Sequence, residues 1–177
     1  NASPPTALSE IYTSFNQHDA LLDVLLRTRP AVVSFHFGLP SQAVIEKLKA
    51  QGIGLLATAT SLTEAQQSAA SGIDGIVAQG YEAGGHRGMF DPQQPDQQLS
   101  TLALVQILHQ AVALPLIAAG GIMTSQGIAA ALQLGAQAAQ LGSAFLLCPE
   151  AASDATYREM IRTSHSASTV MTAAISG

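Results

Sequence analysis

Short β-branched and aromatic runs alternate with segments whose apolar residues recur at helical spacing. Ala31-Val32-Val33-Ser34-Phe35 is the first run, and Gly38-Leu39-Pro40-Ser41 breaks it and supplies a helix cap. The helix that follows carries Val44, Ile45 and Leu48 on one face and ends near Gly52. A second run covers Ile53 to Ala59, and Ser61-Leu62-Thr63-Glu64 then has capping-box spacing before an Ala-rich helix that stops at Gly72. A third run holds Ile73, Ile76 and Val77; a Gly- and Pro-rich loop, about Gly80 to Ser100, leads into a helix bearing Leu102, Val105 and Leu108. Pro115 to Ala119 is the fourth run, Ser125 to Leu134 a helix closed by Gly135, and Ala138 to Leu141 the fifth run. The pattern predicts strands at about residues 31–36, 53–58, 74–79, 115–119 and 138–141.

Strands that read as continuous apolar runs between amphipathic helices are buried on both faces, which means a parallel sheet in an α/β fold. A doubly wound open sheet and a (β/α)8 barrel both satisfy the rhythm. Right-handed crossovers would leave all strand carboxyl ends on one face. A whole barrel takes about 250 residues, so five units make only part of one.

Composition narrows the class. Of 177 residues, 47% are hydrophobic and 11% charged, which excludes a disordered chain. A net charge of −5, with Lys47 and Lys49 the only lysines, argues against nucleic acid as a partner. The most apolar stretches are broken by Gln, His or Gly before about 18 residues, so no membrane partner is expected either. Cys148 has no second cysteine to pair with, so nothing demands an oxidising compartment and a cytoplasmic setting is expected. It follows Phe145-Leu146-Leu147 and reads as a small buried hydrophobe. The opening Asn1-Ala2-Ser3-Pro4-Pro5-Thr6 and the closing Ile175-Ser176-Gly177 both read as cuts inside a longer protein.

Candidate chemistry gathers after the third and fourth strands. Gln79-Gly80-Tyr81-Glu82-Ala83-Gly84-Gly85-His86-Arg87-Gly88 is too rich in glycine for a helix or strand. Such a loop lets backbone approach a flat or anionic ligand, and His86 sits where α/β folds place their active sites. Tight turns around a solvated histidine are the plain alternative. The fourth strand runs into Gly120-Gly121-Ile122-Met123-Thr124-Ser125, and the fifth gives Gln140-Leu141-Gly142-Ser143-Ala144. Consecutive turns of this kind, leading toward helices, suit an anion, as in the phosphate sites many barrels build. Gly52-Ile53-Gly54-Leu55-Leu56-Ala57 matches a dinucleotide fingerprint by letters but precedes its strand, so the mechanism fails. There is no P-loop, no G-x-S-x-G elbow and no zinc-ligand spacing. His36 fits a pocket wall or a core position equally. Glu82 and Arg87 flank the loop, where either could orient His86 but loop salt bridges are the expected role of both, while His18, His109 and His165 read as surface or packing residues.

Val33-Ser34-Phe35-His36-Phe37-Gly38, Ala57-Thr58-Ala59-Thr60 and the segment Val77 to Gly88 resemble the nitronate monooxygenase (2-nitropropane dioxygenase) family. Ala118-Ala119-Gly120-Gly121-Ile122 and Gln140 to Phe145 follow in the same order, so the likeness covers essentially the whole chain. The resemblance implies a TIM-type (β/α)8 barrel present in part, about strands four to eight. It implies one partial FMN-binding domain over residues 1–177, truncated at both ends. The implied reaction is oxidation of alkyl nitronates by O2 to a carbonyl compound and nitrite, on noncovalent FMN. His86 would be the catalytic base or polarising group. Gln79 and Gly84 would contact FMN, and Gly120, Gly121, Gln140, Leu141, Gly142 and Ser143 would hold its phosphate.

The first three strands of such a barrel have no counterpart here, and five strands leave open edges. An NAD(P)H-dependent quinone reductase or an enoyl-thioester reductase shares the Gly-Gly-His loop and phosphate turns; Ser34 to Gly38 and Arg87 favour nitronate oxidation. A non-catalytic phosphate- or nucleotide-binding barrel domain is the rival of a different class.

Overall fold

The computed structural model describes residues 14–15, 19–163 and 169–172. His18 and His165 lie outside them. A helix, α1 (Asp19–Thr28), precedes five strand-and-helix steps: β1 (Val32–Phe35), α2 (Gln42–Ala50), β2 (Gly54–Ala59), α3 (Leu62–Ala70), β3 (Gly75–Gln79), α4 (Thr101–Ala111), β4 (Leu116–Ala119), α5 (Ser125–Gln133) and β5 (Ala138–Gln140). A 3-10 turn at Ser143–Phe145 and α6 (Ala155–Arg162) follow. The sheet has the order β1-β2-β3-β4-β5, every neighbour parallel. All five predicted strands are present, each within two residues of the expected bounds, and their carboxyl ends share one face.

Alternation along each strand sends successive side chains to opposite faces. One face packs under the helices. Leu104, Val105 and Leu108 of α4 meet Ile76, Ala78, Leu116 and Ala118 in one cluster, while Ile45 and Leu48 of α2 meet Phe35, Leu55 and Ala57 in another. Leu22, Leu25 and Leu26 of α1 cover part of the second cluster. That helix was not expected from the sequence, although its leucines fall at helical spacing.

The opposite face is the concave one. Register aligns Ser34 with Leu56, Leu56 with Gly75, Thr58 with Val77, Val77 with Ile117, and Gln79 with Ala119 and then Gln140. Apolar residues fill its lower rows and polar ones, Thr58, Gln79 and Gln140, occupy the carboxyl end. Val77 and Gln79 at the centre are buried, whereas Val32 on the edge strand is 52% exposed. This is the curvature and face pattern of part of a barrel, with the inner wall of its outer strands uncovered.

Helix starts follow local chemistry. Ser61, Ser100, Thr124 and Asp154 each accept a backbone N–H of the first turn of their helices. At α3 the expected capping box is half made. Ser61 Oγ accepts from Glu64 N at 3.3 Å, but the Glu64 carboxylate turns elsewhere. Its Oε2 accepts from Thr60 N at 2.6 Å and Thr60 Oγ1 at 2.7 Å, and its Oε1 from Phe90 N at 2.8 Å. A buried carboxylate needs several donors, and Phe90 supplies one that a solvated cap would have left to water. Glu64 thereby fastens the long loop after β3 to the end of β2. Cys148, expected to be buried, is half-buried; Arg158 holds its carbonyl at 2.9 Å and those of Ala151 and Ser153 at 2.6 and 3.0 Å.

Candidate active site

The site is built where β3 ends. Gln79 is the last residue of that strand and is 7% exposed. Its carboxamide pairs with the loop that follows: Nε2 donates to the His86 carbonyl at 2.9 Å, and Oε1 accepts from Gly88 N at 2.8 Å. One side chain therefore bonds the backbone on both sides of Arg87, as a neighbouring strand would. Arg87 turns inward. Its Nη1 donates to the Gln79 carbonyl at 2.6 Å, and its guanidinium forks onto Asp96, with both bonds at 2.9 Å. The ion pair is the loop salt bridge expected for Arg87. It holds the Asp96 carboxyl below the ordinary range: the Arg87 hydrogen bonds favour the charged form against the opposing effect of burial.

Glu82 departs from its expected role. Its carboxylate accepts from Thr101 N at 2.9 Å and Thr101 Oγ1 at 3.2 Å, so it serves the start of α4. The Thr101 hydroxyl also lies 2.9 Å from the Gly120 carbonyl oxygen, which joins the loop after β3 to the turn after β4.

His86, the predicted catalytic residue, is exposed at the carboxyl end of the sheet. Its carbonyl is held from a second side by His36, whose Nε2 lies 3.3 Å away while Nδ1 lies 3.0 Å from Thr58 Oγ1. Both contacts are satisfied when Nε2 carries the proton and Nδ1 accepts from the threonine hydroxyl. His36 is thus a wall of the site, which the sequence had left open between wall and core. The Phe37 ring stands edge-on between the two histidines, 4.3 Å from the His36 ring and 5.8 Å from that of His86. Gly88 passes so close beneath His36 that an added Cβ would lie 2.5 Å from His36 Cε1 and 2.8 Å from Thr58 Cγ2. Thr58 and Glu64 are the positioning residues that sequence reasoning missed. Both lie in segments the sequence had singled out, but their bonds to His36 and Phe90 cross between elements and carry no local signal.

The glycine turns after β4 and β5 lie beside this loop. A Cβ on Gly120, at φ +119, would fall 2.9 Å from Ala83 N, and one on Gly84 would fall 3.0 Å from Ser143 Oγ. Gly121, Gly142 and Ser143 are exposed, and a Cβ on Gly142 would meet nothing within 4 Å. Gly84, Gly120, Gly121, Gly142 and Ser143 are therefore gathered at the carboxyl end of the sheet. The Glu82 side chain borders Gly121, 3.2 Å from an added Cβ, with its carboxylate engaged by Thr101 N and Oγ1, and the glycine-rich turns beside it suit a phosphate. Gln140 reaches the same end on the inner face, whereas the Leu141 side chain packs on the helix-covered core and leaves only its backbone for a ligand. His109 packs against the Gly135 turn, away from the site. Among the described residues no group of three His, Cys, Asp or Glu could hold a metal ion, and no helix is long and apolar enough to cross a membrane.

Comparison with known proteins agrees with this geometry. The chain is 58% identical over 176 residues to a nitronate monooxygenase of Paraburkholderia phytofirmans, covering 99% of the chain and 48% of the relative. It is 50% identical to one of Pseudomonas aeruginosa, covering 99% of the chain and 50% of the relative. The chain thus spans about half the length of the curated relatives it matches. Among solved structures, a nitroalkane oxidase from Streptomyces ansochromogenes superposes with a TM-score of 0.80 at 42% identity, over 83% of this chain and 43% of that one. The sequence profile described as nitronate monooxygenase matches residues 6–177, a span that includes the histidine loop and both glycine turns, and the chain belongs to the nitronate monooxygenase family.

Proposed function

We propose that residues 1–177 form a single partial FMN-binding barrel domain, the histidine-bearing part of an FMN-dependent enzyme that oxidises alkyl nitronates with O2 to a carbonyl compound and nitrite. The observation that carries this reading is the convergence of His86 with two glycine turns at the carboxyl end of one parallel sheet, Gly84 lying against Ser143. Family membership supports the reaction class, and the names of the relatives support nitronate as substrate. The FMN phosphate would be held by backbone N–H groups of Gly120, Gly121, Gly142 and Ser143, with Gln140 and the Leu141 backbone beside them. Gly84, against Ser143, would also contact the cofactor. The chemistry FMN supplies when bound is electron transfer from the nitronate to O2.

The chain's own residues do the rest. Gln79 and His36 fix the His86 carbonyl, and Arg87 anchors the backbone that follows, so His86 is presented on a braced loop. From there its imidazole takes a proton from the carbon of a neutral nitroalkane, or stands against the negative charge of a nitronate already formed. For Gln79, the bonds to His86 and Gly88 leave one lone pair and one N–H for the cofactor.

The test uses the complete protein. Its absorption spectrum should carry flavin bands, and His86→Asn should keep them. The variant should lose about 10²–10⁴-fold in turnover of neutral nitroalkanes, and less on preformed nitronate. Equal losses on both substrates would remove the base role and leave anion binding. No loss on either, or no flavin in the wild type, would refute the proposal.

A further inference from the structure

We propose that Phe37 is a specificity-determining residue, an apolar wall beside His86 that favours nitronates with longer alkyl chains. The inference rests on the function proposed above. Phe37 is 55% exposed and belongs to neither core cluster. Its φ of +64 lies in the left-handed region, an uncommon and costly conformation for an aromatic residue. The backbone strain is unfavourable, and neither core cluster of the described residues takes up the ring. What the conformation does achieve is placement: the ring lies edge-on to His86 at 5.8 Å and to His36 at 4.3 Å, at the mouth where the proton is exchanged.

A substrate whose reacting carbon meets the His86 imidazole has its alkyl substituent within reach of this ring. Two more exposed apolar side chains, Met123 at 57% and Phe145 at 60%, follow β4 and β5 at the same end of the sheet. Phe37 is an apolar surface set directly against the polar groups of His36 and His86. That distribution fits a small anionic head carrying a hydrocarbon chain, and desolvating the chain supplies the selectivity.

The experiment compares wild type, Phe37→Leu and Phe37→Gly in the complete protein. Oxygen consumption is followed with the nitronates of nitroethane through nitrohexane, alongside thermal unfolding and calorimetric binding of acetate through hexanoate as unreactive analogues. In the wild type, kcat/KM and carboxylate affinity should rise by up to about fourfold for each methylene the ring covers. Phe37→Gly should flatten both gradients to below about twofold per methylene, with the change in KM, and Phe37→Leu should fall between. Glycine adopts the left-handed conformation freely, so Phe37→Gly should unfold at the same or a higher temperature. A merely structural phenylalanine would instead lower the unfolding temperature and scale every substrate equally; that result overturns the proposal. A gradient unchanged in Phe37→Gly overturns it as well, while leaving nitronate oxidation standing. If the wild type oxidises no nitronate, the proposed reaction fails, and the carboxylate gradient still decides whether Phe37 is an alkyl wall.

Discussion

Replacing Gln79 with leucine removes the side chain that closes the histidine loop while keeping similar volume at a buried position. Two hydrogen bonds disappear, one to the His86 carbonyl at 2.9 Å and one from Gly88 N at 2.8 Å. The two losses are unequal. The His86 carbonyl keeps its His36 contact, whereas Gly88 is buried and its N–H loses its acceptor. A lost neutral hydrogen bond costs about 0.5–1.5 kcal/mol and an orphaned buried donor about 1–3 kcal/mol. Together they predict a destabilisation of about 2–4 kcal/mol for Gln79→Leu. With a urea dependence of about 2 kcal/mol per molar, the unfolding midpoint should fall by roughly 1–2 M. Hydrogen exchange supplies the local check: the Gly88 amide should lose its protection while amides of the neighbouring strand β4 keep theirs. A midpoint shift worth less than about 0.5 kcal/mol, or a Gly88 amide that stays protected, would refute the assignment of Gln79 as the loop's clamp.

Two further outcomes follow from the same loop. Gly88→Ala places a methyl 2.5 Å from His36 Cε1, so the ring must leave Thr58 and the His86 carbonyl; a loss of about 1–3 kcal/mol in urea unfolding is expected, and full stability would show that the approach is not needed. For the Arg87–Asp96 pair the sign is set by the lowered folded pKa of Asp96, whose ordinary value is 3.8. Its contribution is fully present above that ordinary value and is lost as pH falls through the lower folded one. Wild type should therefore exceed Asp96→Asn in stability by a constant margin above about pH 5, narrowing on acidification below the ordinary value; a margin independent of pH would remove the carboxylate's charge from the explanation.

The sequence by itself determined the strands and the face that packs against the helices. Both depend on local chemistry: unbroken apolar runs such as Leu116–Ala119 suit a strand covered on both sides, and Gly52, Gly72 and Gly135 end helices wherever they stand. It also marked His86 and both glycine turns as candidates, because glycine-rich turns at strand ends are a local signal. What the tertiary structure decided are the partnerships between residues distant in sequence. Glu64 has capping-box spacing to Ser61, yet its carboxylate serves Thr60 and, 26 residues away, Phe90. Glu82, expected in an ion pair, serves Thr101, 19 residues on. His36 was readable as wall or core until the parallel pairing of β1 with β2 put Thr58 beside it and the loop after β3 brought the His86 carbonyl over it. Spacing along a chain encodes which groups share a turn or a face. Which buried donor reaches which acceptor depends on how strands pair and loops return, and only the folded chain fixes that.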